Sequence, residues 1–149
     1  MKQRNNQHLI FWAYVAVMVW LLFFKDRGNF QAGIPYFSQL KYNLIPFETV
    51  RLFVRLLDSS DPDLRRLAVV NLGGNIIMFI PLGWLLPICF PKLRSLVRTL
   101  AAVTVMIICA ELIQLFALVG SCDTDDLILN VSGAAIGFWM YRIWNKGAA

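Results

Sequence analysis

Polar and apolar positions along this chain separate into long blocks. Four apolar stretches run approximately over residues 9–24, 67–90, 96–119 and 127–144. A helix needs roughly 20 apolar residues to cross a bilayer core. The second and third stretches meet that length unaided. The first and fourth are shorter and lean on Trp12, Tyr14 and Trp20, and on Trp139, Tyr141 and Trp144, residue types that sit at membrane–water interfaces. The pattern predicts an all-α membrane protein with four transmembrane helices, in one domain over 1–149. Between the first two spans the period changes. In "NLIPFETVRLFVRLLD", Phe47, Val50, Phe53, Val54 and Leu57 recur at helical spacing, while Glu48, Arg51, Arg55 and Asp58 take the other face. With Pro46 near its start, this reads as a short amphipathic helix over about 47–57, lying in the membrane interface.

The helix boundaries have their own signals. In "DPDLRR", Asp61 is placed to cap the second span, with Pro62 at its first position and Asp63 in its first turn. Inside that span Pro81 removes a donor to the Ile77 carbonyl, and Gly73 and Gly74 would permit close backbone approach. Gly120 is suited to closing the third span in a left-handed cap. Asp123 can cap the fourth, with Asp126 three positions on. Capping leaves Asp125 without a task, as a solvated loop acid. Asn130, Gly133 and Gly137 share a face, and "GAAIG" reads as a packing seam of small residues.

Composition fits the membrane class. The chain is 58% hydrophobic and only 15% charged, with mean hydropathy +0.61. The net charge of +5 is not a nucleic-acid signal, because most basic residues flank apolar segments. Lys2 and Arg4, then Lys92, Arg94 and Arg98, then Arg142 and Lys146, flank one side, seven basic residues against none between the third and fourth spans. The positive-inside rule then puts both termini in the cytoplasm. The segment 25–66 objects with seven basic residues, but four spans force it outside. "KDRGNFQAG" offers no small-x-small cleavage site after the first apolar run, so that run is expected to be a retained anchor. Cys89, Cys109 and Cys122 form no CxxC pair, and the single His8 leaves no histidine for a triad on the outer face.

The chemistry lies in polar residues placed where apolar ones would insert more easily. Glu111, inside "MIICAELIQLF", costs at least about 2.5–3.5 kcal/mol at a helix centre. Gln114 is one turn away, and Asn71 and Asn75 share a face of the second span. "CDTDDLILN" packs Asp123, Asp125 and Asp126 at the mouth of the fourth span, followed by Asn130. Under the topology above, Asn71, Asn75, Glu111, Gln114, Asp123, Asp126 and Asn130 gather in the outer half of the membrane or at its outer surface. Glu111, Asp123 and Asp126 are the expected centre of a polar pocket, oriented by Asn75, Gln114 and Asn130.

The stretches "NLIPF" (43–47), "NIIMFIPLG" (75–83), "ELIQLF" (111–116) and "DTDDLILN" (123–130), followed by "GAAIG", resemble in order and spacing the VanZ-like family of bacterial membrane proteins. The resemblance covers about 43 to 140. Carried over residue by residue, the family's recurrent polar positions fall on Asn75, Glu111, Gln114, Asp123, Asp126 and Asn130. One departure is that many members have an arginine where this chain has Gly120 and Ser121. Arg51, Arg55, Arg65 and Arg66 are the possible substitutes. The resemblance implies a bacterial cell-membrane protein linked to resistance against lipoglycopeptides of the teicoplanin type. Two classes of function follow. The protein binds a lipid-linked envelope component, such as a cell-wall precursor, or an acylated antibiotic, among membrane lipids in an outer-leaflet pocket. Alternatively it is a membrane enzyme on such a substrate, with Glu111 or Asp126 as general acid or base, or with Glu111, Asp123 and Asp126 holding Mg²⁺ or Ca²⁺. Transport is weaker, since no inverted repeat is visible.

Overall fold

A computed structural model describes residues 2–24, 42–117 and 121–146. Five helices appear among them: α1 (Lys2–Phe24), α2 (Glu48–Leu57), α3 (Pro62–Cys89), α4 (Leu96–Ala117) and α5 (Thr124–Lys146). A 3-10 turn, Pro91–Leu93, joins α3 to α4. Two short strands, β1 (Tyr42–Asn43) and β2 (Cys122–Asp123), pair in parallel, with Tyr42 opposite Cys122 and Asn43 opposite Asp123. Neither strand is visible as a pattern in the sequence, because two residues carry no period. The expected cap at Gly120 lies outside the described residues.

Asp61 caps α3 as its sequence suggests: its carboxylate accepts the Asp63 N–H at 2.9 Å, with Pro62 at the first position. The helix runs through Pro81 and Pro87 without interruption. Its partner is α5, and glycine makes the approach possible. A Cβ added at Gly83 would overlap the Ala134 carbonyl. One at Gly133 would overlap the Ile76 carbonyl, and one at Gly137 the Ile80 carbonyl. The "GAAIG" seam therefore packs backbone against backbone, the way helices associate where lipid removes the usual apolar driving force. Gly73 and Gly74 do not share that role, since nothing lies within 4 Å of a Cβ at either. The core is completed by Phe11 and Met18 from α1, Phe79, Leu82 and Leu86 from α3, and Val103 and Ile107 from α4. The Tyr14 hydroxyl donates to the Met78 carbonyl and ties α1 to α3.

Among the described residues, three helices are long and apolar enough to cross a membrane: Asn6–Phe23, Pro62–Cys89 and Leu96–Ala117. The fourth expected span, α5, is not among them. Its buried stripe of Asn130, Gly133, Ala134, Gly137, Phe138 and Tyr141 faces protein, and Asp125, Asp126, Arg142 and Lys146 put charge at both of its ends. The amphipathic helix forms as α2, with Val50, Phe53 and Leu56 half-buried and no residue fully buried.

Candidate functional site

The C-terminal end of α4 and the N-terminal ends of α3 and α5 share one end of the bundle with α2 and the β1–β2 pair. That end holds the acidic residues. Asp123 is the N-cap of α5, its Oδ1 accepting the Asp125 N–H at 2.8 Å. Its Oδ2 accepts the Thr49 hydroxyl at 2.6 Å, and Thr49 in turn accepts from the Asn43 amide at 2.9 Å. The Asp123 N–H donates to Glu111 Oε2 at 3.2 Å. A continuous set of hydrogen bonds thus runs from Asn43 through Thr49 and Asp123 to Glu111, itself only 8% exposed on α4.

Asp125 overturns the expectation of a solvated loop acid. It is fully buried, at 0% exposure. Its Oδ1 accepts the Phe47 N–H at 2.5 Å and its Oδ2 accepts the Val50 N–H at 2.9 Å. These are groups that the start of a helix leaves unpaired. Phe47 occupies the N-cap of α2 but has no side-chain oxygen to offer, and it sits at φ 66°, in the left-handed region. Asp125 supplies the missing cap from another helix, and its charge complements the positive end of the α2 dipole. Asn43, Thr49 and Asp125 are the residues that sequence reasoning missed here. The available signal was a helix opening on Phe47, which cannot cap itself.

The remaining predicted residues divide. Asn75 donates to Asp126 Oδ1 at 2.5 Å, joining α3 to the first turn of α5. Since the Asp123 N–H goes to Glu111 Oε2, Asp126 does not close a capping box. Gln114 is bound elsewhere: its amide donates to the Leu22 carbonyl of α1 at 2.7 Å, satisfying one of the carbonyls a helix end leaves open. Three residues beyond Glu111 it lies about 60° around the helix, toward α1. Asn71 donates back to the Leu67 carbonyl in its own helix at 2.8 Å, so it does not join the cluster. Asn130 is buried at 3% exposure, and its Oδ1 has no hydrogen-bond partner. Burial raises the pKa of the Cys122 thiol, and the Glu111 and Asp123 carboxylates raise it further.

The expected Mg²⁺ or Ca²⁺ site on Glu111, Asp123 and Asp126 does not fit this geometry. Among the described residues no three His, Cys, Asp or Glu side chains are arranged to hold a metal ion. At the expected ligands, both oxygens of Asp123 accept from the Thr49 hydroxyl and the Asp125 N–H, Glu111 Oε2 accepts the Asp123 N–H, and Asp126 Oδ1 accepts from the Asn75 amide. What opens beside the cluster is a groove of about 690 Å³ along α2, lined by Tyr42, Asn43, Ile45, Glu48, Thr49, Arg51, Leu52 and Arg55. Asn43 and Thr49 belong to both the groove and the hydrogen-bonded path to Glu111.

These features define an all-α membrane protein whose polar side chains gather at one end of the bundle beside the amphipathic helix α2. The chain belongs to the VanZ/LLP1 family, whose family model matches residues 11–145. It is 30% identical over 133 residues to Protein VanZ of Enterococcus faecium, covering 89% of this chain and 71% of that protein. No solved structure matches.

Proposed function

We propose that the protein binds a lipid-linked envelope component or an acylated antibiotic at the acidic end of the bundle, facing the outer leaflet, and thereby contributes to tolerance of teicoplanin-type lipoglycopeptides. In this reading α5 is the fourth span, α2 lies in the outer interface and both termini are cytoplasmic. The observation that carries it is the convergence of Asn75 from α3, Glu111 from α4 and Asp123 and Asp126 from α5 at one end. Packing alone would not require this, since apolar residues insert at lower cost than Glu111. Apolar flanks hold the acyl part, and the amide and carboxylate groups meet the polar head. Membership of the VanZ/LLP1 family supports the association with antibiotic tolerance.

The test replaces Glu111→Gln and Asp126→Asn, which preserve shape and hydrogen-bonding capacity. Teicoplanin tolerance in a host expressing each variant is compared at equal membrane protein levels. Loss of tolerance in both single variants, with the double variant no worse, is expected for residues acting as a unit. Full tolerance in both would leave the cluster as packing and remove this reading.

A further inference from the structure

The groove along α2 lies outside the positions that the family resemblance marks, apart from its contact with "NLIPF". Its cationic side chains are Arg51 and Arg55, both exposed and four residues apart. That spacing puts them on one face of α2, about 6 Å apart along the axis. Among the described residues neither guanidinium has a hydrogen-bond or ion-pair partner. The buried acids that meet α2, Asp123 and Asp125, are already committed to the Thr49 hydroxyl and to the Phe47 and Val50 N–H groups. The acidic side chain lining the groove is Glu48, in the first turn of α2. The remaining lining is mixed: Tyr42, Asn43 and Thr49 carry polar groups, while Ile45 and Leu52 are apolar.

We propose that this groove holds the phosphate-bearing head of a lipid, with Arg51 and Arg55 as the paired cation and Ile45 and Leu52 against the start of the tail. Each guanidinium presents several N–H donors in a fixed fork that matches phosphate oxygens. Two such forks on one helix face suit an anion with more than one negative charge, where a zwitterionic head would bring its own cation. The tail needs an apolar exit, and Ile45 and Leu52 line the groove and are exposed, as is Leu44 beside Ile45 in the chain. Glu48 opposes a phosphate and limits the affinity. The inference deepens the binding function proposed above by naming the charged part of its ligand.

The full chain, purified in an uncharged detergent, is titrated with short-chain phosphatidic acid, short-chain phosphatidylcholine and inorganic pyrophosphate, with heat as the readout. Phosphatidic acid is expected to bind, phosphatidylcholine not. Removing one charge-assisted contact by Arg51→Gln or Arg55→Gln should weaken phosphatidic acid binding about tenfold or more. Arg51→Lys should retain part of the affinity, since the charge stays and the fork is lost. Glu48→Gln should bind more tightly, a gain that a misfolded protein could not produce. Arg98→Gln, an exposed charge at the other end of the bundle, should leave binding unchanged and controls for net charge. Equal binding by the Arg51→Gln/Arg55→Gln double variant overturns the proposal, as does equal binding of phosphatidylcholine. Pyrophosphate binding as tight as phosphatidic acid would make this a free-phosphate site and overturn the lipid assignment. These outcomes are independent of the Glu111 and Asp126 tolerance experiment. If the arginine variants bind normally while Glu111→Gln abolishes tolerance, only the groove assignment falls.

Discussion

Replacing Asp125 by alanine tests the idea that one buried carboxylate holds α2 in place. The native side chain accepts the Phe47 N–H at 2.5 Å and the Val50 N–H at 2.9 Å, at 0% exposure. A hydrogen bond to a charged group contributes about 1.5–3 kcal/mol net, so the two together contribute about 3–6 kcal/mol. Part is recovered when Phe47 is free to leave its left-handed conformation, a strain of about 1–2 kcal/mol. The expected cost is about 2–4 kcal/mol, confined to docking of α2. At 1.4 kcal/mol per factor of ten, the undocked population rises about 30- to 700-fold. Amide hydrogen exchange on the full chain in detergent reads this directly. Protection along Glu48–Leu57 should fall by that factor, while the amides of the α3–α5 seam hold their native rates. Asp125→Asn keeps one acceptor oxygen and should lose roughly half as much in free energy. If Asp125→Ala leaves α2 protected within about twofold of native, the carboxylate is not what anchors the helix.

The glycines of α3 and α5 should divide sharply. Gly137→Ala forces a methyl into the Ile80 carbonyl and should lower stability by about 1–3 kcal/mol or more. Gly74→Ala meets nothing within 4 Å and should be neutral or raise stability by about 0.5–1 kcal/mol through helix propensity. Thermal unfolding in detergent separates them, and equal Tm changes would refute the close-packed seam. For orientation, Ser121→Cys in a Cys122→Ser background should react with a membrane-impermeant maleimide added outside cells, and Leu93→Cys should not. The opposite labelling would turn the groove toward the cytoplasm.

Block patterning alone was enough to specify the helices. Apolar runs of span length, Asp61–Pro62 as a helix start and the helical spacing of Val50 and Phe53 are local signals, and each corresponds to an observed element. The small-residue seam was equally legible, because glycine four residues apart on an apolar helix has few other uses. So was the Asp123 cap, a bond between neighbours in the chain. What the sequence could not assign was the long-range partner of each polar side chain. Asn75 and Gln114 look alike as single amides in apolar runs, yet the packing of α3 on α5 aims one at Asp126, and the packing of α4 on α1 aims the other at Leu22. Asp125 looked spare only because its partners lie 78 and 75 residues away. Local rules see a helix lacking a cap at Phe47 and an acid lacking a role at 125. Only the tertiary structure joins them, because the pairing depends on where α2 meets the mouth of α5, a distance no periodicity encodes.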